Sequence, residues 1–190
     1  GPETGQSSCL LANSGFFVND TGASEQTACP AGSFSGSGAS ECDECERGTY
    51  QDATGQSSCA LADGGSFVDL AGAPEQTSCP AGSFSGSGAS ECVDCEAGTY
   101  QDATGQSGCK LADAGSFVNE IGASEQAACD AGKYSGSAAS ECEACATGTF
   151  QESTGRSSCK LAGQGFYVGS TGASEQTVCP AGNFSGSGAS

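Results

Sequence analysis

Residues 92–100 read Cys-Val-Asp-Cys-Glu-Ala-Gly-Thr-Tyr, and this short stretch decides the fold. It places two cysteines three positions apart, followed by a glycine and an aromatic residue, in the pattern C-x-x-C-x-x-G-x-aromatic. We call this stretch a junction, and we call its two cysteine positions the first slot and the second slot. Versions of the junction, with the slots filled or replaced, follow one another along the chain. The protein is therefore a tandem array, and its periodicity guides every other inference.

The array has a period of 50 residues without slippage. Residues 49–59 recur, with few substitutions, as 99–109 and as 149–159. Repeats that recur this regularly predict one continuous array in which each unit contacts mainly its neighbours. The predicted divisions are a partial repeat at 1–47, full repeats at 48–97 and 98–147, and a partial repeat at 148–190.

Each repeat divides into three sub-units of about 17 residues that open with Gly-x-aromatic. Frequent glycines and the absence of apolar spacing at 3.6 residues argue against helix, whereas short runs rich in Ser, Thr and aromatic residues favour strands and turns. We predict a small disulfide-rich, mostly β fold: an elongated rod of stacked short β-hairpin-like layers. One aromatic residue per layer is expected to form a packed ladder, in preference to a carbohydrate-binding strip. The ladder comprises Phe17, Phe34, Tyr50, Phe67, Phe84, Tyr100, Phe117, Tyr134, Phe150, Tyr167 and Phe184.

The composition leaves little material for a central core. Leu, Ile and Val fill only 13 of the 190 positions, while glycine fills 31. Ordering the backbone costs about 1–2 kcal/mol per residue, which so few aliphatic side chains cannot offset. The 14 cysteines are therefore expected to staple the chain in an oxidising, extracellular or cell-surface setting after secretion.

Empty slots indicate how the cysteines pair. Ala112 fills a second slot and Gln126 fills the next first slot, 14 residues later. Cys95 and Cys109 occupy the corresponding slots with the same separation. If partners are lost together, the second cysteine of one junction bonds the first cysteine of the next, and each bridge contributes about 3 kcal/mol in the chain-entropy model. The rule predicts Cys29–Cys42, Cys45–Cys59, Cys79–Cys92, Cys95–Cys109, Cys129–Cys142 and Cys145–Cys159.

A second connectivity stays open at this point. Bridges within each C-x-x-C, as Cys42–Cys45, combined with bridges such as Cys59–Cys79, would pair all 14 cysteines. We favour the first rule because a bridge across C-x-x-C closes a very small loop, gains less entropy and tends to be labile.

Four further residues are candidates for linkage or modification. The favoured rule leaves Cys9 and Cys179 unpaired, so we expect either further repeats outside this sequence or linkage to a neighbouring molecule. The sequons that begin at Asn19 and Asn183 predict N-glycosylation at both asparagines.

The junction and the spacing after it resemble the ephrin-receptor-like cysteine-rich repeats, which are related to the tumour-necrosis-factor-receptor and growth-factor-receptor modules. The pattern that carries the resemblance is C-x-x-C-x-x-G-x-[FY], followed by G-x-x-x-C whose glycine lies four or five positions after the aromatic, and it covers essentially the whole chain. The resemblance implies an extracellular, elongated, disulfide-bonded protein of receptor stalks, adhesins or surface fibres, with no shared catalytic residue. The chain departs from the family pattern at Ala12/Gln26, Ala62/Gln76, Ala112/Gln126 and Ala162/Gln176.

Charge and residue types exclude several classes of function. A net charge of −18, with 5 basic residues and no histidine, argues against nucleic acid and anionic membrane surfaces as partners. No stretch is long and apolar enough for direct membrane insertion. The lack of histidine removes the usual catalytic triads, and three periodic C-x-x-C copies beside acidic residues favour a structural role over a redox one. We expect no cofactor; calcium at acidic residues such as Glu41, Asp43 and Glu44 is an alternative to a solvated acidic edge.

These features together predict an extracellular structural protein that is not an enzyme. We expect it to build a filament, cell-surface hair or stalk by head-to-tail assembly with itself, with other surface proteins or glycans as further candidate partners. The alternative is a ligand-binding ectodomain of a receptor or adhesin, for which one repeat should differ from the rest. The third repeat differs at Asp130, Lys133, Tyr134 and Ala138.

Overall fold

A computed structural model describes residues 9–190 of the protein. Within this range the fold is mostly β, with ten two-stranded antiparallel hairpins and no helix. Each hairpin pairs two consecutive strands, from β1 with β2 to β19 with β20. The strands are β1 (Phe16–Phe17), β2 (Thr27–Ala28), β3 (Ser33–Phe34), β4 (Asp43–Glu44), β5 (Thr49–Tyr50), β6 (Ala60–Leu61), β7 (Ser66–Phe67), β8 (Thr77–Ser78), β9 (Ser83–Phe84), β10 (Val93–Asp94), β11 (Thr99–Tyr100), β12 (Lys110–Leu111), β13 (Ser116–Phe117), β14 (Ala127–Ala128), β15 (Lys133–Tyr134), β16 (Glu143–Ala144), β17 (Thr149–Phe150), β18 (Lys160–Leu161), β19 (Phe166–Tyr167) and β20 (Thr177–Val178).

Each hairpin begins at a tight turn that glycine makes possible. Before β7, Gly65 has a φ of 91°, a left-handed conformation that side chains with a Cβ disfavour. The N–H of Ser66 then donates to the carbonyl oxygen of Asp63 at 2.9 Å, which closes the turn. Phe67, the second residue of β7, lies opposite Thr77 of β8. The Gly-x-aromatic motif therefore marks a turn followed by a two-residue strand.

Three kinds of layer alternate along the chain. An A layer is closed by a disulfide such as Cys29–Cys42, and a B layer by one such as Cys45–Cys59. A C layer, such as Ala62 to Gln76, has no disulfide. The layers follow one another in the order A, B, C, and equivalent residues recur 50 positions later.

The chain divides into two compact units. Of the described residues, the first unit holds those up to Cys79 together with Ser85–Cys92, and it contains the hairpins β1 to β8. The second holds Pro80–Phe84 and Val93–Ser190, with the hairpins β9 to β20. The division passes through one A layer. The repeat boundaries predicted at residues 48, 98 and 148 remain predictions, because the starting point of a periodic unit is arbitrary.

The core is a line of small side chains, and the packed aromatic ladder stays a prediction. Of the eleven aromatic residues only Phe150 is buried; nine are half-buried and Phe184 is 95% exposed. In most layers the residue that follows the aromatic is buried instead, as Val68 at 3% and Ser85 at 1% exposure. Successive strand residues point to opposite faces, so turning this residue inward turns the aromatic outward. The interior is narrow because neighbouring backbones lie within hydrogen-bonding distance of each other.

Candidate functional site

The contacts between successive layers are the repeated feature most relevant to function. Between complete layers of each unit, three backbone hydrogen bonds recur at every step. At one step from a B layer to a C layer, the N–H of Gly48 donates to the carbonyl oxygen of Val68 at 2.8 Å. In return, the N–H of Gly72 donates to the carbonyl oxygen of Cys45 at 2.8 Å. The third bond is donated by the backbone N–H of the residue after the aromatic to a backbone carbonyl oxygen of the next layer. The layers are thus joined by their backbones, independently of most side chains.

Glycine allows this close approach. A Cβ on Gly82 would overlap the carbonyl oxygen of Gly122, and a Cβ on Gly132 would overlap that of Gly172. Both glycines also have left-handed φ angles, 86° and 82°. At such positions the first glycine is required both for its conformation and for the space that it leaves, whereas Gly165 and Gly182 have open space around a Cβ and are required for conformation alone.

Six disulfides close the A and B layers. Their Cα–Cα distances are 5.7 or 5.8 Å, within the range usual for disulfides. Each joins the second cysteine of one junction to the first cysteine of the next, as the slot rule predicts, and the alternative bridges within C-x-x-C are not formed. The pairs are Cys29–Cys42, Cys45–Cys59, Cys79–Cys92, Cys95–Cys109, Cys129–Cys142 and Cys145–Cys159. The second-slot cysteine of every pair is fully buried.

The C layers replace the missing disulfide with hydrogen bonds from glutamine. In the first unit, the Oε1 atom of Gln76 accepts from the backbone N–H of Asp63 at 2.7 Å. The Nε2 atom of Gln76 donates to Asp63 Oδ2, also at 2.7 Å. Gln126 and Asp113 repeat both bonds in the second unit. We call this pair of bonds the glutamine clamp; sequence reasoning identified the glutamine as an empty slot but missed its partner.

The glutamine clamp is reduced to one bond in the other two C layers. Asn13 and Gly163 take the place of the aspartate, and only their backbone N–H groups donate to Gln26 and Gln176. The backbone bond is thus common to all four C layers. The buried cysteine of the second slot is replaced in each by alanine, of which Ala62 is fully buried.

Serine hydroxyls reinforce the step from a C layer to the following A layer. In the first unit, Ser85 Oγ donates to the carbonyl oxygen of Ser66 at 2.8 Å, and Ser87 Oγ donates to that of Ala62 at 3.0 Å. Equivalent bonds from Ser135 and Ser137 recur in the second unit. This step therefore has two side-chain hydrogen bonds in addition to the three backbone ones.

The candidate residues for linkage and modification lie at the surface. Cys9 is exposed and Cys179 is half-buried, and both are free thiols. Asn19 and Asn183 are exposed. None of these four residues belongs to the line of buried side chains.

Few ion pairs lie on the surface of the described residues. Lys110 pairs with Asp102 at 2.6 Å and lies 6.0 Å from the centre of the Tyr100 ring. The pKa of Asp102 is lowered, chiefly because its carboxylate accepts this hydrogen bond from Lys110. In the third repeat, the Tyr134 hydroxyl donates to Glu143 Oε2 at 2.6 Å, which raises the pKa of Tyr134.

The described residues show no metal site, and the two cavities found on them are open to solvent. No group of three or more His, Cys, Asp or Glu side chains is gathered there to hold a metal ion. An open cavity of about 1130 Å³ beside Leu11 and Phe16 lies in the first unit, and one of about 420 Å³ beside Phe117 lies in the second. The expectation of no cofactor, with calcium at Glu41, Asp43 and Glu44 as its alternative, stays a prediction.

The repeats also match a known family. The sequence profile described as tyrosine-protein kinase ephrin type A/B receptor-like matches residues 32–79, 82–129 and 132–184. The chain belongs to this family. Each match begins at or near the first glycine of an A layer and continues through a B and a C layer, so the family repeat is the 50-residue unit. None of the curated proteins compared with the chain matches it.

Family membership and disulfide content indicate where the protein is located. The repeats of this family are non-catalytic extracellular modules, and six disulfides agree with an oxidising environment. Together they indicate an extracellular or secreted protein. Among residues 9–190, no helix has the length and apolar character needed to span a bilayer.

Proposed function

We propose that the chain is a structural repeat protein of an extracellular filament, cell-surface hair or stalk, with no catalytic role. The sameness of the steps between layers is the observation that carries this proposal. Gly48, Gly98 and Gly148 each donate to the carbonyl oxygen of the valine in the following C layer, at 2.8, 2.7 and 2.8 Å. Layers that are joined by the same backbone bonds at every step within a unit favour repetition over a single recognition pocket.

The direction of these contacts favours head-to-tail self-assembly. The first glycine of a layer donates forward along the chain, and at the steps within each unit the residue at the second glycine position of the next layer, Ala138 in one case, donates back. Two copies that associate through the same contacts would therefore use different surfaces, which is a heterologous arrangement able to build open fibres. We propose that the principal partner of the chain is a second copy of itself.

Electron microscopy of the purified, oxidised chain tests the proposal. Long regular filaments are expected at about 0.15 M salt, where the Debye length is about 8 Å. Fewer are expected at low salt, because chains with a net charge of −18 then repel each other more strongly. Monodisperse monomers at every salt and protein concentration would contradict self-assembly.

The alternative function, ligand binding by a receptor or adhesin ectodomain, depends on the third repeat. Its exposed Lys133 and the bond between Tyr134 and Glu143 distinguish it from the second repeat, which has Ser83 and Phe84 at the first two positions. The double variant Lys133→Ser/Tyr134→Phe gives the third repeat the residues of the second. Loss of cell-surface or glycan-array binding in this variant, with filament formation unchanged, would favour the receptor function.

A further inference from the structure

Tension on the array would act unequally on its layers because the disulfides bypass part of the backbone. A force transmitted along the chain passes through Cys29–Cys42 and Cys45–Cys59, so the residues inside these loops carry none of it. Only a short link joins Cys42 to Cys45. By contrast, no disulfide bypasses any part of the much longer stretch from Cys59 to Cys79. This stretch, which we call the free segment, contains the C layer.

The free segment is held in place by bonds that break and reform easily. Gln76 holds Asp63 through the glutamine clamp, and the second-slot position is the small, fully buried Ala62. The C layer is otherwise held by hydrogen bonds to its neighbours and by the burial of Val68, all of which are weak beside a covalent bond. A loop of similar size closed by a disulfide cannot lengthen while the bridge is intact.

We propose that the C layers have a further function as reversible extension elements. The disulfides on either side of each C layer limit how far the chain can lengthen. Under load the free segment unfolds and lengthens, whereas the A and B loops stay closed by their bridges. When the load falls, the C layer refolds between its neighbours. The proposal rests on the proposed structural function, because only a load-bearing protein would use this property.

The expected extension follows from chain dimensions. Fully extended, a free segment spans about 70 Å at about 3.3–3.6 Å per residue. The segment from Cys109 to Cys129 in the second unit has the same length. Two internal steps of equal length, each below this limit, are therefore expected per chain.

Single-molecule force spectroscopy of the full oxidised chain, held at its termini, measures these steps. The variant Ala62→Cys/Gln76→Cys adds a bridge at a C-layer position equivalent to Cys45–Cys59. Only the short links from Cys59 to position 62 and from position 76 to Cys79 then stay free, so one of the two equal steps should disappear. The control Ala62→Ser/Gln76→Ser cannot form the bridge, so it should keep both steps, with one of them at lower force.

Three outcomes would overturn the proposal. They are a single release of the whole array, two unchanged steps in a cysteine variant whose added bridge mass spectrometry has verified, and failure of the steps to return on relaxation and a second pull. Electron microscopy of the same wild-type preparation separates this result from the proposed function. Filaments without the expected steps refute only the extension element, whereas steps in a chain that never forms filaments refute only the filament.

Discussion

The two glycines of each layer meet different surroundings, although both have left-handed φ angles. The first, as Gly82, faces the backbone of another layer and has no room for a Cβ. The second, as Gly88, faces the Cδ2 atom of Leu61, a flexible side chain that a Cβ would approach to 3.3 Å. Ala138 occupies the second position in the third repeat and keeps a φ of 61°. The second position therefore tolerates alanine at a cost, and the first should not.

This difference predicts an order among three substitutions. Ala138→Gly should raise the free energy of unfolding by up to about 1 kcal/mol, because alanine is strained at this φ. Gly88→Ala should lower it by a similar amount, and Gly82→Ala by several times more, because backbone would have to move. Urea denaturation of the three variants measures the order. Equal effects at Gly82 and Gly88 would contradict the argument.

The two sequons occupy different register positions, which predicts different tolerance of a glycan. Asn19 and its equivalents Asp69, Asn119 and Gly169 are all exposed. Asn183 is exposed too, like Lys133 at the same register position, but the equivalent Ser33 and Ser83 are 6% and 3% exposed, so this position lies beside the buried line. A glycan on Asn19 would project from the C layer without disturbing a buried position.

We therefore expect higher glycan occupancy at Asn19 than at Asn183 in a secreting eukaryotic host. Thr21→Ala should abolish the Asn19 glycan without changing the melting temperature. Ser185→Ala removes the other sequon but also the 2.7 Å hydrogen bond from Ser185 to the carbonyl oxygen of Phe166, so it should destabilise the chain by about 1 kcal/mol. Glycopeptide mass spectrometry and thermal melts check both, and a bare Asn19 beside a fully occupied Asn183 would refute the prediction.

At the scale of the element, the C layer shows how hydrogen bonds replace a covalent bridge. Gln76 makes two hydrogen bonds to Asp63, at a sequence separation close to that of the Cys45–Cys59 bridge. Serine hydroxyls add further bonds on the side of the next A layer, as Ser87 does with Ala62. The layer keeps its hairpin although it lacks a disulfide.

Removing the glutamine clamp should destabilise the C layer selectively. Gln76→Ala is expected to lower the free energy of unfolding by about 1–2 kcal/mol, because the backbone N–H of Asp63 loses its partner. Gln56→Ala is the matched control: Gln56 is exposed, and its side chain makes one 3.3 Å bond, to Thr54 within its own turn. Hydrogen exchange of the Asp63 amide gives a local readout. Equal effects of the two substitutions would show that the clamp has no special role.

The sequence predicts the layers because their glycines and cysteines each have a single structural role at a fixed spacing. Glycine marks each left-handed turn, and cysteine slots that are lost in pairs reveal the connectivity, as Ala112 and Gln126 do. The buried line is harder to predict because it alternates among valine, serine and glutamine, as Val68, Ser85 and Gln101 do. Burial there is set by the approach of neighbouring backbones, so it does not depend on apolar character. The glutamine clamp was missed for a similar reason, since the residues themselves give no apolar or charge pattern.

At the scale of the whole molecule, stability depends on bridges and backbone bonds more than on apolar burial. The described hydrophobic core consists mainly of cysteine, alanine and valine, while several large apolar residues, such as Leu61 and Leu111, are about 60% exposed. Six loops closed by disulfides contribute about 18 kcal/mol in the chain-entropy model. This sum exceeds the roughly 5–15 kcal/mol by which folded proteins are usually stable. The backbone bonds alone should therefore not keep the array folded.

Full reduction and alkylation should unfold the chain. We expect loss of the β signal in circular dichroism, rapid proteolysis and no cooperative thermal transition, because the unfolded state regains the entropy that the six bridges remove. Alkylation without reduction is the control, since it modifies only the free thiols Cys9 and Cys179 and leaves the buried bridges intact. A reduced chain that melts at the native temperature would mean that the backbone bonds between layers suffice by themselves. The disulfides would then serve to limit extension under load, and their contribution to folding would be small.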